Sequence, residues 1–159
     1  MFAAHGHRPR LRSAQMTSSV QRLLVTGLVI GICDGLFATV QSLITNRSME
    51  RVWQGVASVL LGPSAMSGGI RTTLIGLLMH FAVAYFWSAV FIFGILPFWR
   101  PNWTFAIVYG PFIWLVMSLG VIPLLVHRPP AITPRWWVQF FGHIIFVGLP
   151  IVLTATRKP

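Results

Sequence analysis

The chain has 159 residues, of which 55% are hydrophobic and only 9% are charged. Soluble domains carry about 25% charged residues, so this composition excludes a soluble enzyme, a disordered protein and a secreted disulfide scaffold. Twelve Lys and Arg residues against two acidic residues give a formal net charge of +10. Because the basic residues lie between long apolar runs, we expect them to contact anionic lipid headgroups and not nucleic acid.

Residues 1–21 are polar and basic, and they predict a mobile N-terminal tail ahead of the membrane domain. The apolar run that follows, 23–44, is long enough to cross a bilayer, since about 20 helical residues span about 30 Å of hydrocarbon. It is too long for the apolar part of a signal peptide and has Asp34 in its middle. We therefore interpret it as a retained transmembrane helix.

The second apolar run, 52–62, is too short to cross a membrane. Ser48 can cap a helix here, and Glu50 in the first turn suits the helix dipole. The run ends at Gly62 and Pro63, followed by small residues. This pattern predicts a re-entrant or interfacial half-helix.

Three further apolar runs complete the predicted fold, an all-α integral membrane protein with four transmembrane helices and the half-helix between the first two. The four helices form a single domain over 22–157, and both termini lie on one side of the membrane. Seven of the Lys and Arg residues fall on that side and five on the other, which predicts cytoplasmic termini. The predicted spans are 23–44, 72–94, 104–126 and 136–154.

The ionisable side chains inside the predicted spans are Asp34, His80 and His143. Counting residues from the helix ends places all three near the midplane of the bilayer. An Asp at a helix centre opposes insertion by roughly 2.5–3.5 kcal/mol, so Asp34 must face protein or water and be paired or protonated. Gln139 stands one turn before His143. We predict an intramembrane polar cluster in which Asp34 bonds to His80, to His143 or to both.

Small residues recur every four positions beside these polar groups, which is typical of faces where helices approach closely. A second copy or a membrane partner packed on these faces is one way to use them. The predicted packing residues are Gly27, Gly31, Gly35, Gly76, Ala84 and Ser88.

Three interpretations of the polar cluster stay open at this point. It can fix helix register through hydrogen bonds, or it can bind a proton or cation in a transporter. His80 and His143 can also be the axial ligands of one haem between two helices. No catalytic motif and no metal-binding spacing occurs in the sequence, so we assign no catalytic residue and no metal.

The sequence contains four longer motifs: RVWQGVASVLLGPSAMSGG (51–69), LLMHF (77–81), YGPFIWLVMSL (109–119) and HRPP…RWWVQFFGHIIFVGLPI (127–151). These motifs resemble those of an uncharacterised family of small bacterial multi-pass inner-membrane proteins. The resemblance covers about residues 17–157 and implies a four-helix bundle in the cytoplasmic membrane. The family has no established activity, so the resemblance carries over no functional residue.

The sequence therefore predicts a non-enzymatic membrane component or subunit. The alternatives are a small proton-linked transporter or channel that uses Asp34, His80 and His143, and a b-type haem protein.

Overall fold

The computed structural model describes the backbone of residues 8–156 and the side chains of residues 18–156. Four helical segments of this part are long and apolar enough to cross a membrane, which confirms the predicted number of spans. Their ends differ from the predicted ends by at most five residues. The segments are Ser18–Ile44, Gly69–Ile95, Trp103–Val126 and Pro134–Ala155.

The first helix, α1, runs over Arg8–Ile44 and has 37 residues. The predicted tail is therefore helical from Arg8 onward, because no proline or glycine interrupts the chain between Arg10 and the apolar run. Residues 1–7 of that tail lie outside the described residues.

A short helix, α2, follows at Met49–Leu61 and has 13 residues, or about 20 Å. It ends at Gly62, whose φ of 77° favours glycine, and a 3₁₀ turn at Pro63–Ser67 leads into the next span. This helix lies close to the predicted apolar run 52–62. Its re-entrant or interfacial location in a membrane stays a prediction.

The remaining three spans share one irregularity. Each contains a wide π-type turn, and in each the residue just before a proline donates its N–H to the carbonyl five residues back: Leu96 to Phe91, Ile122 to Met117 and Leu149 to Ile144. A proline ring clashes with the carbonyl four residues earlier, and the wider turn moves that carbonyl away. The spans are α3 (Gly69–Ala89) with Val90–Ile95, then α4 (Trp103–Leu115), Val116–Val121 and α5 (Ile122–Val126), and finally α6 (Pro134–His143), Ile144–Gly148 and α7 (Leu149–Ala155).

The packing order of the helices leaves room inside the molecule. The first helix packs between α3 and α7, and α4 packs against the fourth span. The short helix α2 packs on α3 and also touches α5, so it closes a ring of helices at the end of the molecule away from the termini. We call that end the loop side, because the loops 45–48 and 127–133 lie there, and the opposite end the terminal side.

The predicted small residues pack within the chain, but mostly not against one another. On α1, Gly27 and Gly31 lie against the rings of Tyr85 and Phe81, and Gly35 contacts Trp53 and His80. These glycines are buried, so they are not free to pack against a second copy.

The small residues of α3 divide between two neighbours. Gly76 lies against the backbone of Trp53 in α2, whereas Ala84 is buried in the apolar core. Ser88 is fully buried and donates to the Ala84 carbonyl at 2.7 Å. Glycines also let α4 approach the fourth span, since Gly110 contacts the His143 backbone and Gly148 contacts that of Ala106.

Candidate functional site

Asp34 and His80 meet where α1 and α3 pack together. Gly35, next to Asp34 on α1, leaves space for the imidazole ring of His80, and Gly31, one turn earlier, leaves space for the ring of Phe81. The Asp34 Oδ2 atom lies 4.0 Å from His80 Nδ1, the only ion pair among the described residues. The two side chains are 17% and 14% exposed, respectively, so a carboxyl group predicted to need a protein partner has one.

The hydrogen bonds of His80 fix where its protons lie. Its Nε2 atom lies 2.9 Å from the carbonyl oxygen of Gly31, and a carbonyl only accepts, so Nε2 must carry a hydrogen. A favourable Asp34–His80 contact then needs one more proton, either on Nδ1 facing a carboxylate or on the Asp34 carboxyl facing a bare Nδ1. At 4.0 Å, however, the two atoms form an ion-pair contact and not a hydrogen bond.

The second oxygen of Asp34 has no partner. Oδ1 is buried and makes no hydrogen bond within the described residues. Aromatic rings enclose His80 instead, with Trp53 at 5.2 Å and Phe81 at 5.6 Å between ring centroids. A buried oxygen without a donor costs about 1–3 kcal/mol, so the pair is not a saturated structural contact.

His143 and Gln139 belong to a second group, on α6. His143 Nδ1 lies 2.8 Å from the Gln139 carbonyl, one turn back in the same helix, and its ring lies 4.9 Å from that of Trp114. No hydrogen bond or ion pair among the described residues joins His143 to Asp34 or His80. The structure therefore brings Asp34 and His80 within ion-pair distance, but among the described residues the predicted hydrogen bond from Asp34 forms neither to His80 nor to His143.

The side chain of Gln139 makes a bond that the sequence analysis did not anticipate. It donates to the amide oxygen of Gln41 and joins α6 to α1. Gln41 comes seven residues after Asp34, which is two helical turns on the same face. The sequence therefore shows that Gln41 and Asp34 share a face of α1. It does not show that α6, with Gln139, packs against that face.

The two histidines do not fit a shared haem. His80 uses Nε2 for the Gly31 carbonyl, and its Nδ1 faces Asp34, so neither nitrogen is free for iron. Only His143 has a ring nitrogen, Nε2, that could bind iron, and a shared haem would need one from each histidine. Within residues 18–156, no three His, Cys, Asp or Glu side chains come together as a metal site would require.

Both groups line one cavity of about 1160 Å³. The cavity opens on the loop side, where it is lined by exposed residues of the α1–α2 and α5–α6 loops. Its walls are mostly apolar, and Asp34, His80, Gln139 and His143 are its polar inner residues. From Asp34 to the end of α1, ten residues rise about 15 Å, so the cavity extends to about the middle of the membrane-spanning part.

The terminal half of the bundle is closed by a packed apolar core. Phe91 and Ile151 are fully buried there, and the Tyr109 hydroxyl donates to the Trp87 carbonyl at 2.9 Å. The cavity therefore has access from one side. The core residues are Ile30, Ala84, Trp87, Phe91, Ile92, Ala106, Tyr109, Ile113, Val147, Ile151, Val152 and Ala155.

Three arginines surround the mouth of the cavity: Arg47, Arg51 and Arg135. Arg47 and Arg135 are close enough to repel each other, and none of the three forms an ion pair within the described residues. Nothing in the spacing of these arginines along the sequence shows that the α1–α2 and α5–α6 segments bring them to a common opening.

Comparison with known proteins gave no match to a family model, to a curated protein or to a solved structure.

Proposed function

We propose that this chain is a non-enzymatic, multi-pass component of a bacterial cytoplasmic membrane that binds a ligand together with a proton in its cavity. The Asp34–His80 pair is the proton site of this proposal. The observation that carries it is the cavity, open on the loop side, whose lining brings the Asp34 carboxyl and the His80 imidazole within 4.0 Å of each other. Intramembrane carboxyl and imidazole groups in contact with a cavity are characteristic of proton-linked transporters.

The shape of the cavity favours a carrier over an open channel. A channel needs a continuous path, whereas here the apolar core around Phe91 and Ile151 separates the cavity from the terminal side. One-sided access to a site near the midplane is one state of an alternating-access cycle. Because four spans are few for a complete carrier, the proposal includes assembly with a second copy or with another membrane subunit.

A purely structural role for Asp34 is the competing function. Interhelical hydrogen bonds in membranes contribute about 0.6 kcal/mol each, and such a role needs no cavity. The unpartnered Oδ1 atom of Asp34 argues against it, because a side chain kept only as a structural bond would have both oxygens satisfied.

The proposed orientation follows from the basic residues. With the termini in the cytoplasm, the mouth and its arginines face the periplasmic side. Arg22 and Arg100 lie on the terminal side and contact the cytoplasmic leaflet.

Proton flux into liposomes tests the proposal directly. Purified protein is reconstituted, a pH gradient is imposed, and potassium with valinomycin prevents charge build-up. We expect wild type to conduct protons above empty liposomes and Asp34→Asn to fall to the empty-liposome rate, because an amide keeps the shape but cannot exchange a proton.

The matched control is Glu50→Gln, at the only other acidic residue of the chain, which is exposed and does not line the cavity. It should conduct like wild type. Equal rates for wild type and Asp34→Asn, or no flux from either while both fold, would contradict the proton site and leave Asp34 as a helix–helix contact.

A further inference from the structure

The cavity combines three chemical environments in a fixed order along the membrane normal. Cationic side chains lie at the mouth, apolar side chains form the walls, and hydrogen-bonding groups lie in the inner half, one turn before the apolar residues Ile30, Ala84 and Val147. A ligand that matches all three must be amphipathic. The proposed function leaves the ligand unnamed, and this order of environments identifies its chemistry.

The mouth is built to bind an anion. Arg47, Arg51 and Arg135 line it without an ion pair among the described residues, and Glu50, the nearest acidic residue in sequence, does not line the cavity. Two guanidinium groups that repel each other, as Arg47 and Arg135 do, are stabilised when an anion binds between them.

Two helices also direct their N-termini at this opening. Helix α2 begins just after Ser48 and helix α6 just after Thr133, and both of these residues line the cavity. The positive end of a helix dipole favours a nearby anion. The Ser48 hydroxyl makes no capping hydrogen bond, so it is available to donate to a ligand.

The walls require an apolar body. Four of the seven tryptophans line the cavity, together with three methionines and several aliphatic side chains. Leu60 and Leu125 line it as well, although they are 62% and 47% exposed, so the wall is apolar where it meets the surrounding bilayer. The tryptophans are Trp53, Trp87, Trp114 and Trp136, and the methionines are Met66, Met79 and Met117.

The inner half of the cavity offers a hydrogen-bonding partner. His143 is 6% exposed and lines the cavity, and its Nδ1 atom donates to the Gln139 carbonyl. Its Nε2 atom is then a bare acceptor with no hydrogen-bond partner among the described residues. A nine-tenths buried imidazole with an unused lone pair can accept a hydrogen bond from the inner end of a ligand.

We infer that the cavity binds an amphipathic organic anion, with its anionic group between Arg47, Arg51 and Arg135 and its apolar body among the tryptophans. This ligand class deepens the proposed function, since an organic anion bound near the Asp34–His80 pair is a substrate that a proton can accompany. Such an anion has two sources, a single-chain amphiphile from the bilayer or a water-soluble aromatic acid.

Tryptophan quenching tests the inference. Trp99, Trp103 and Trp137 do not line the cavity, and replacing all three by Phe leaves the four cavity tryptophans as reporters. The probe is 9,10-dibromostearate in nonionic detergent micelles, because bromine quenches only tryptophans it approaches closely, and the methyl ester of the same acid is the uncharged control. We expect the acid to quench at a roughly tenfold lower mole fraction than the ester.

Two sets of substitutions decide whether the arginines at the mouth are responsible. Replacing Arg47, Arg51 and Arg135 by Gln should weaken binding of the acid by roughly 10- to 100-fold, since each basic residue near a lipid anion contributes about 1 kcal/mol. The control is Arg71→Gln with Arg128→Gln, two exposed arginines of the loop side that do not line the cavity. This control variant should bind the acid as wild type does. All variants are compared at the same detergent concentration, so that partitioning of the acid into the micelles is the same in each sample.

Competition distinguishes the sources. Displacement of the bromo-acid by 2-naphthoate supports a water-soluble aromatic acid, and failure of naphthoate to displace it supports a single-chain membrane amphiphile. Equal quenching by acid and ester, or quenching that the three substitutions do not change, overturns the inference. So does displacement by inorganic phosphate alone, because the site would then bind free anions.

This result is independent of the proton-flux experiment. Asp34→Asn keeps the arginines and the cavity walls, so it should bind the bromo-acid as wild type does even though it conducts no protons. Loss of flux without loss of quenching would separate the two proposals, and loss of quenching selectivity in wild type would reject the ligand class without affecting the proton site.

Discussion

At the scale of single residues, the two intramembrane histidines carry their protons on different nitrogens. His80 donates from Nε2 to the Gly31 carbonyl, whereas His143 donates from Nδ1 to the Gln139 carbonyl. The difference follows from position, since His143 bonds within its own helix and His80 bonds across to α1. It means that only His80 directs Nδ1 at Asp34, and that His143 keeps Nε2 for the cavity.

Nitrogen chemical shifts can check these assignments. In protein labelled with ¹⁵N-histidine, we expect a protonated Nε2 for His80 and, at neutral pH, a protonated Nδ1 with a bare Nε2 for His143. His80→Gln and His143→Gln assign the signals by removing one set each. A protonated Nε2 with a bare Nδ1 in His143 would show that the bond to Gln139 does not form.

Asp34 and His80 were predictable from the sequence, but their partners were only partly so. An ionisable residue in a span must face protein, and the four-residue spacing of Gly27, Gly31 and Gly35 indicates the face on which Asp34 lies. Periodicity relates residues only within one helix. It could not tell which helix neighbours α1 at Gln41, and so it missed the contact with Gln139.

At the scale of helices, the approach of α2 to α3 depends on the absence of a side chain at Gly76. A Cβ atom there would collide with the Trp53 backbone carbonyl, which cannot move as a side chain end can. Gly76 therefore positions α2 over the cavity, and through Trp53 it also positions the ring that packs on His80.

We expect Gly76→Ala to lower the free energy of unfolding by about 1–3 kcal/mol, the usual cost of overpacking. The matched control is Gly55→Ala on α2, because nothing lies within 4 Å of the atom it would add. That change should be neutral or stabilise by up to about 1 kcal/mol through helix propensity. Thermal unfolding in detergent measures both, and equal midpoints for the two variants would rule out the close approach.

Span number and approximate span ends were predictable because length and hydropathy suffice for them. The wide turns were not predicted, although Pro97, Pro123 and Pro150 were visible in the sequence. Pro97 lies beyond the predicted span 72–94, whereas Pro123 and Pro150 lie near the ends of the spans 104–126 and 136–154. In the structure the residue before each of these prolines makes the same five-residue bond, so the available signal was a proline near the end of each span.

At the scale of the whole molecule, the short helix determines the architecture. Helix α2 lies between α3 and α5 on the loop side and so completes the ring of helices. The ring encloses the cavity, whereas four spans in direct contact would leave no such space. The sequence predicted a short helix but could not show what it encloses, since a cavity depends on which helices are neighbours.

One-sided access can be tested with single cysteines, because Cys33 is the only native cysteine and can be replaced by Ala. Ala38→Cys lines the cavity one turn from Asp34, and Ala155→Cys lies in the apolar core and is fully buried. A membrane-impermeant thiol reagent should label Ala38→Cys from the loop side only and leave Ala155→Cys unlabelled from either side. Labelling of Ala38→Cys from the terminal side would show that the core does not close the bundle.

The depth of the cavity also determines where a transmembrane voltage falls. When water fills the cavity, little of the electric field lies between the mouth and Asp34, and most of it lies across the sealed half, where a mostly apolar core separates the two solutions. A charge that crosses the full voltage changes in energy by about 2.3 kcal/mol per 100 mV. Proton binding from the loop side is therefore nearly independent of voltage, and any step that carries the proton past Phe91 takes up almost all of the voltage dependence.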